Sequence, residues 1–323
     1  MTNACRQPKI ISDTMHPLIT SLRMSPPGRA ASWLKRQAVQ RRRERVAKVI
    51  LRLPPKRLPA PGPDNVSVHL LTSRRDWLGA LWSVRTFLEY LGESLPVMFH
   101  DDGTLTPEIA GQLRASLPGA VVVSCAEAQA VVEWRLRDFP RCRAARPRHV
   151  VTYKLFDIPL LAPGPRYLLL DSDLLFFSLP VEIKEWLQGG ERVNLWNEDQ
   201  GDFLNLTTAE ARERHGVRLL EKLNSGLGCL WRESVDFKLL EDYFSYDSVW
   251  SHPHRVEQTA YALLSGRFGG RLLPRTYLVD TRRDAGLPPG IVMKHYVGII
   301  RDLFFSEGIG QLLARGFVPA GHS

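Results

Sequence analysis

The chain of 323 residues has little cysteine, and what it has is scattered. Cys5, Cys125, Cys142 and Cys229 form no Cys-X-X-Cys pair, which excludes a zinc ribbon, a thioredoxin-type centre and a dense disulfide framework, and fits a reducing compartment. No run approaches the 18 or so consecutive apolar residues that span a bilayer, and no apolar stretch follows the N-terminal charges as in a signal peptide. A cytoplasmic protein is expected. There is no internal repeat and no compositional extreme: 44% hydrophobic and 24% charged residues argue against both wholesale disorder and a membrane-embedded class. Acidic residues are scarce only at the start. Residues 1 to 60 carry 14 Lys/Arg against 2 Asp/Glu, so the net charge of +9 belongs to this segment and not to the rest of the chain.

That segment reads as an extension, 1 to 64. Residues 1 to 31 mix Pro, Ser, Thr and Arg without a period, and Met15 and Met24 are alternative starts. From Ser32 to Leu53, Trp33, Leu34, Val39, Val46, Ile50 and Leu51 alternate loosely with Arg41, Arg42, Arg43, Arg45 and Lys48. Such a basic amphipathic helix lies on anionic lipid, at the inner face of a membrane, or packs on a domain edge. No nucleic acid partner is expected. Pro54, Pro55, Pro59, Pro61 and Pro63 then form a stiff linker, and the folded domain is expected over 65 to 323.

Strand and helix patterns alternate from there, as in an α/β sheet with crossover helices. Strands are predicted at Val66 to Leu71, Leu95 to Phe99, Ala120 to Val123 and Tyr167 to Leu170, and shorter ones at Val193 to Trp196, Gly226 to Trp231, Tyr277 to Val279 and Ile291 to Lys294. Ser73 and Asp76 read as a capping box before an apolar-faced helix. Further helices are predicted around 150 to 161, 208 to 223, 233 to 244, 255 to 264 and 302 to 314. Asp101-Asp102-Gly103 reads as a turn.

The apolar strand Tyr167 to Leu170 runs directly into Asp171-Ser172-Asp173. Open α/β sheets bind ligands at the carboxyl ends of such strands. Residues i and i+2 of an extended chain share a face with Cα atoms roughly 6.7 Å apart, so both carboxylates reach one ion. Unneutralised at about 4 Å they repel by about 4 kcal/mol at an effective dielectric of 20. Mg²⁺ or Mn²⁺ removes that repulsion and also binds phosphate oxygens. Seventeen aspartates in 323 residues make about one Asp-X-Asp expected from composition alone, so the motif's meaning depends on its company.

That company is Asn224-Ser225-Gly226 ahead of an apolar strand, Glu257-Gln258 on a helical pattern, and His295-Tyr296-Val297-Gly298-Ile299-Ile300-Arg301 after another short strand. In this order the motifs resemble those of the glycogenin-type retaining glycosyltransferases (family 8), and of GT-A nucleotide-diphospho-sugar transferases more broadly, over roughly residues 65 to 305. The resemblance implies a GT-A fold, a Rossmann-like mixed sheet flanked by helices. It implies hexosyl transfer from a nucleotide-diphosphate sugar, a UDP-sugar, to a glycan, lipid or protein acceptor. It also implies Asp171, Asp173 and His295 as ligands of Mn²⁺ (or Mg²⁺), Gly298 and Arg301 on the diphosphate, Asn224 and Gln258 beside the donor sugar and its anomeric carbon, Thr72 and Ser73 at the base and ribose, and Lys154 as a basic donor contact. Arg301 stands where the family has Lys, Glu257 where it has Asp, and Asp302-Leu303 where it has Pro-Trp. Acceptor specificity therefore does not transfer.

In an inverting enzyme a carboxylate deprotonates the acceptor hydroxyl, and Glu198 and Asp199 are the candidates by position; the family resemblance favours retention. A sugar-nucleotide pyrophosphorylase would carry a Gly-rich, Arg-containing loop after the first strand, where this chain has Thr72-Ser73-Arg74-Arg75-Asp76. The non-enzyme alternative is a sugar-nucleotide-binding protein docked on membrane or nucleic acid through its basic segment.

Overall fold

The computed structural model describes residues 39, 41, 43–189 and 191–318. The stretch 1–38, including most of the basic extension, lies outside them. Residues 43–47 are helical and run into a 3-10 turn at Lys48–Arg52. This part of the extension packs on the domain: Ala47, Ile50 and Leu58 are buried in the main core, the Trp82 indole donates to the Ala47 carbonyl, and the Arg85 guanidinium donates to that of Pro54.

Ten strands follow: β1 (Ser67–Thr72), β2 (Val97–Asp101), β3 (Val121–Val123), β4 (Arg166–Leu170), β5 (Leu174–Phe176), β6 (Asn194–Glu198), β7 (Leu223–Trp231), β8 (Gly270–Leu272), β9 (Tyr277–Val279) and β10 (Met293–His295). Seven form one mixed sheet in the order β3-β2-β1-β4-β7-β6-β8, and β5-β10-β9 form a small second sheet. In the large sheet β7 alone runs against its neighbours β4 and β6. The chain lays β2 and β3 on one side of β1 and returns to place β4 on the other. Such a reversal of strand order opens a crevice beyond the carboxyl ends of the two central strands. Tyr167, Leu168, Leu169 and Leu170 are all fully buried, because both faces of β4 are covered. That is why this strand reads as a continuous apolar run.

The small sheet positions the chemistry. β5 begins one residue after Asp173, and β10 pairs with it antiparallel so that His295 lies opposite Leu174. The Tyr296 amide donates to the Asp173 carbonyl at 2.9 Å. A histidine 122 residues downstream is thereby held beside the second aspartate. From the other side the helix Trp77–Leu91 supports the turn, and a Cβ on Gly79 would lie 2.4 Å from the Ser172 carbonyl oxygen.

Several elements differ from the sequence reading. The helix expected over 208–223 stops at His215, where Gly216 takes a left-handed conformation (φ 66°) and Val217 and Leu219 then bury in extended chain. β7 starts at Leu223, three residues before the strand expected from Gly226, so Asn224 and Ser225 lie inside it. The segment 302–314 is a π-helical stretch, Phe304–Ile309, followed by one α-helical turn. Asp101 does build the expected turn, its Oδ1 accepting from the amides of Gly103, Thr104 and Leu105. No described helix is long and apolar enough to cross a membrane.

Candidate active site

Asp171, Asp173 and His295 each offer one ligand atom, and the three atoms lie within 4.8 Å of one another. His295 Nε2 lies 3.1 Å from Asp173 Oδ1 and 3.9 Å from Asp171 Oδ2. Its other nitrogen settles the tautomer. Asn224 Oδ1 accepts from the Gly226 amide while Asn224 Nδ2 donates to Asp199 Oδ2, so the oxygen faces His295 and Nδ1 must carry the hydrogen. Nε2 is left to share a proton or a cation with the two carboxylates, an arrangement common to metal-ligating histidines. Two hard oxygens and one imidazole fit Mg²⁺ or Mn²⁺.

Arg301 closes the site, its Nε and Nη2 reaching Asp173 Oδ2 at 3.0 and 2.7 Å. Burial pushes the Asp173 carboxyl upward, but His295 and Arg301 together outweigh it and hold the group well below the usual carboxylate range. For His295, burial opposes the charge, and the Asp173 and Asp171 carboxylates more than offset it, so its pKa is raised.

Lys154, fully buried on the helix Thr152–Leu161, bridges two carboxylates: Asp171 Oδ1 at 2.5 Å and Glu257 Oε1 at 3.4 Å. Asp171 has the closer contact and the greater share of the lysine's charge. Glu257, on the helix Val256–Phe268, is accordingly dominated by burial. Its carboxyl is pushed up to about 7, against the pull of Lys154 and with the help of Asp171. Ser225 Oγ donates to its other oxygen at 2.8 Å. Because the native pKa lies above the ordinary 4.5, the native state holds this proton more tightly than the unfolded chain. The resulting stabilisation is complete below about pH 4.5 and is lost as pH rises through about 7. Replacing Glu257 by Gln is expected to flatten the decline in unfolding free energy between about pH 5 and 8, which urea titrations across that range measure.

Gly226 explains why a glycine stands in β7. The amide of Asp171 donates to its carbonyl at 2.7 Å, and a Cβ there would lie 2.3 Å from His295 Cε1 and 2.6 Å from Nδ1. The imidazole rests on bare backbone. Gly226→Ala is expected to displace His295, at a stability cost of about 1–3 kcal/mol, and, if these ligands hold Mn²⁺, to weaken its binding at least tenfold; metal titration alongside chemical denaturation separates the two effects.

These groups line a cleft of about 450 Å³, with Asp199, Gln258, Gly298 and Phe203 also in its wall. Gln258 Oε1 accepts from the Ser225 amide and its Nε2 donates to the Phe203 carbonyl. Gly298 has a left-handed backbone (φ 55°) and open space beside it. Asp199 and Glu198 part company at the end of β6, where neighbouring side chains point opposite ways. Asp199 bonds to Asn224 and borders both the cleft and an adjoining cavity of about 350 Å³, whereas Glu198 borders only the latter and pairs with Arg275 at 3.4 Å. Thr72 and Ser73 sit at the neighbouring strand end but not in the cleft wall. Thr72 Oγ1 donates to the Leu70 carbonyl, and Ser73 Oγ donates to Asp76 while accepting from its amide. The sequence reading did not single out Ser225, Phe203 or Arg255, and it treated Glu257 only as a departure. The spacing of Arg255, one helical turn before Gln258, is the signal that could have found it.

Neither a protein-family profile nor a curated protein sequence matches the chain. Among solved structures it is similar to mouse xyloside xylosyltransferase 1, with 14% identity and a TM-score of 0.47 over 72% of this chain and 97% of that one. It is also similar to the galactosyltransferase LgtC in complex with donor and acceptor sugar analogues, with 14% identity and a TM-score of 0.41 over 76% and 96% of the two chains. A third is the mannosyltransferase Ktr4p of S. cerevisiae in complex with GDP, with 12% identity and a TM-score of 0.41 over 78% and 79%.

Proposed function

We propose that this chain is a metal-dependent GT-A glycosyltransferase that moves a hexose from a UDP-sugar to an acceptor hydroxyl with retention of configuration. The observation that carries the reading is the convergence of Asp171, Asp173 and His295 at the sheet's strand-order reversal, with Arg301 already bound to Asp173. A bound Mn²⁺ or Mg²⁺ supplies Lewis acidity to the donor diphosphate.

The chain's own residues do the rest. Arg301, now on Asp173, would with a cation held by Asp171, Asp173 and His295 be available to the diphosphate oxygens, for which its forked donors are suited. Lys154 holds Asp171 in place and adds positive charge behind the leaving group. Gly298 lets the loop after β10 approach the diphosphate closely. Gln258, braced between Ser225 and Phe203, faces the anomeric carbon, and Asn224 fixes the tautomer of His295. The acceptor oxygen bonds to that carbon as the bond from carbon to the β-phosphate oxygen breaks. The electron pair leaves with UDP, and the hydroxyl proton passes to the departing phosphate oxygen.

Incubation of the full chain with Mn²⁺ and a panel of UDP-hexoses tests this reading. UDP release above the protein-free rate is expected for at least one donor, and its absence for every donor would count against the proposal.

A further inference from the structure

Besides histidines, the cleft is lined by the cationic side chains of Lys154, Arg301 and Arg255. Two are engaged with carboxylates, Lys154 with Asp171 and Glu257 and Arg301 with Asp173. The Arg255 guanidinium makes no ion pair among the described residues. It lies over the ring of Phe203, 5.4 Å from the centroid, and Phe203 is 44% exposed in the cleft wall.

Both residues are held by their backbones. The Arg255 amide donates to the His252 carbonyl, and the Arg255 carbonyl accepts from Thr259 Oγ1. The Phe203 carbonyl accepts from Gln258 Nε2 at 3.3 Å. Arg255 is the N-cap of the helix Val256–Phe268 and stands three residues before Gln258. Their backbones are thus about 5 Å apart along the helix axis, and both residues line the cleft.

On the proposed function, the donor's diphosphate is met by the metal ion and Arg301, and Asp199 is satisfied by Asn224 and by the Gln200 amide. Nothing in the donor calls for a second guanidinium beyond Gln258. An exposed ring with an uncommitted guanidinium stacked on it offers an apolar face for the C–H side of a pyranose and two parallel N–H donors for an oxyanion. We infer that Phe203 and Arg255 form the acceptor subsite, and that the acceptor is an anionic sugar whose carboxylate or phosphate group lies within one residue's reach of the hydroxyl that is glycosylated. The inference rests on the glycosyltransferase reading.

The test uses the full chain saturated with UDP and Mn²⁺, titrated with glucose 6-phosphate, glucuronate or methyl glucoside by calorimetry. Binding of at least one anionic sugar is expected about tenfold or more tighter than of methyl glucoside, consistent with a charge-assisted bidentate contact. Phosphate and carboxylate sources are told apart by which of the two binds tighter. Arg255→Gln is expected to remove the preference while leaving UDP–Mn²⁺ binding intact, and Phe203→Ala to weaken all three sugars alike. Equal binding of neutral and anionic sugars, no sugar binding, or an anion preference that survives Arg255→Gln would each overturn the inference. Failure of UDP and Mn²⁺ to bind the wild-type chain would instead overturn the function on which it rests.

Discussion

Asp173→Ala is expected to lower turnover of the UDP-sugar by about two to three orders of magnitude at saturating Mn²⁺, the range seen when one charge-stabilising group is removed from a preorganised site. Asp173 is the node of the cluster: one oxygen takes His295 and the other takes the forked contact from Arg301. Its removal takes away a proposed metal ligand and leaves a half-exposed guanidinium and a buried imidazole without their shared anion. The imidazole then holds its proton less tightly, because Asp171 alone is left to oppose burial. Asp173→Asn keeps the shape and loses the charge, so a comparable loss in both variants is expected if the carboxylate acts through charge. Steady-state kinetics with Mn²⁺ varied at fixed donor is the measurement, and unchanged turnover in Asp173→Asn would contradict the assignment.

Lys154→Met is expected to be the most destabilising change in the site, by about 3–5 kcal/mol, the cost of breaking a buried ion pair by removing one partner. Lys154 and Glu257 are almost wholly buried, whereas the Asp171 side chain is 25% exposed and regains some hydration. The stranded charge is therefore mainly that of Glu257, which takes up a proton at higher pH once the lysine has gone. Adding Glu257→Gln to Lys154→Met is expected to recover much of the loss, whereas two independent sites would show additive costs. Urea denaturation of the single and double variants at about pH 8 measures the coupling. Additivity would mean that the lysine acts through Asp171 alone.

How much of this was legible in the sequence follows from how local each signal is. β4 was visible because burial on both faces writes an unbroken apolar run, and the aspartates that follow it are contiguous in sequence. β3 was legible as Ala120 to Val123, whereas β5 and β8, three residues each, were not among the predicted strands. Asn224-Ser225-Gly226 has turn-forming composition but lies in a strand. Its glycine is needed for a contact with His295, 69 positions away, and not for a bend. The ion pair between Lys154 and Glu257 and the ring of Phe203 under Arg255 are likewise products of tertiary packing, with no local pattern to announce them. The motif order nevertheless pointed to Asp171, Asp173, His295 and Arg301, which the topology brings together. It did not distinguish Glu198 from Asp199, since only the pairing of β6 with β7 decides which of two adjacent side chains faces the cleft.

The most direct test of the central claim is the melting temperature of the full chain with UDP, with Mn²⁺, and with both. A rise with both that greatly exceeds the sum of the separate effects, and that disappears in Asp173→Ala, is the predicted result. Equal stabilisation by UDP with and without the metal, or none under any condition, would contradict a metal and diphosphate site built on Asp171, Asp173 and His295.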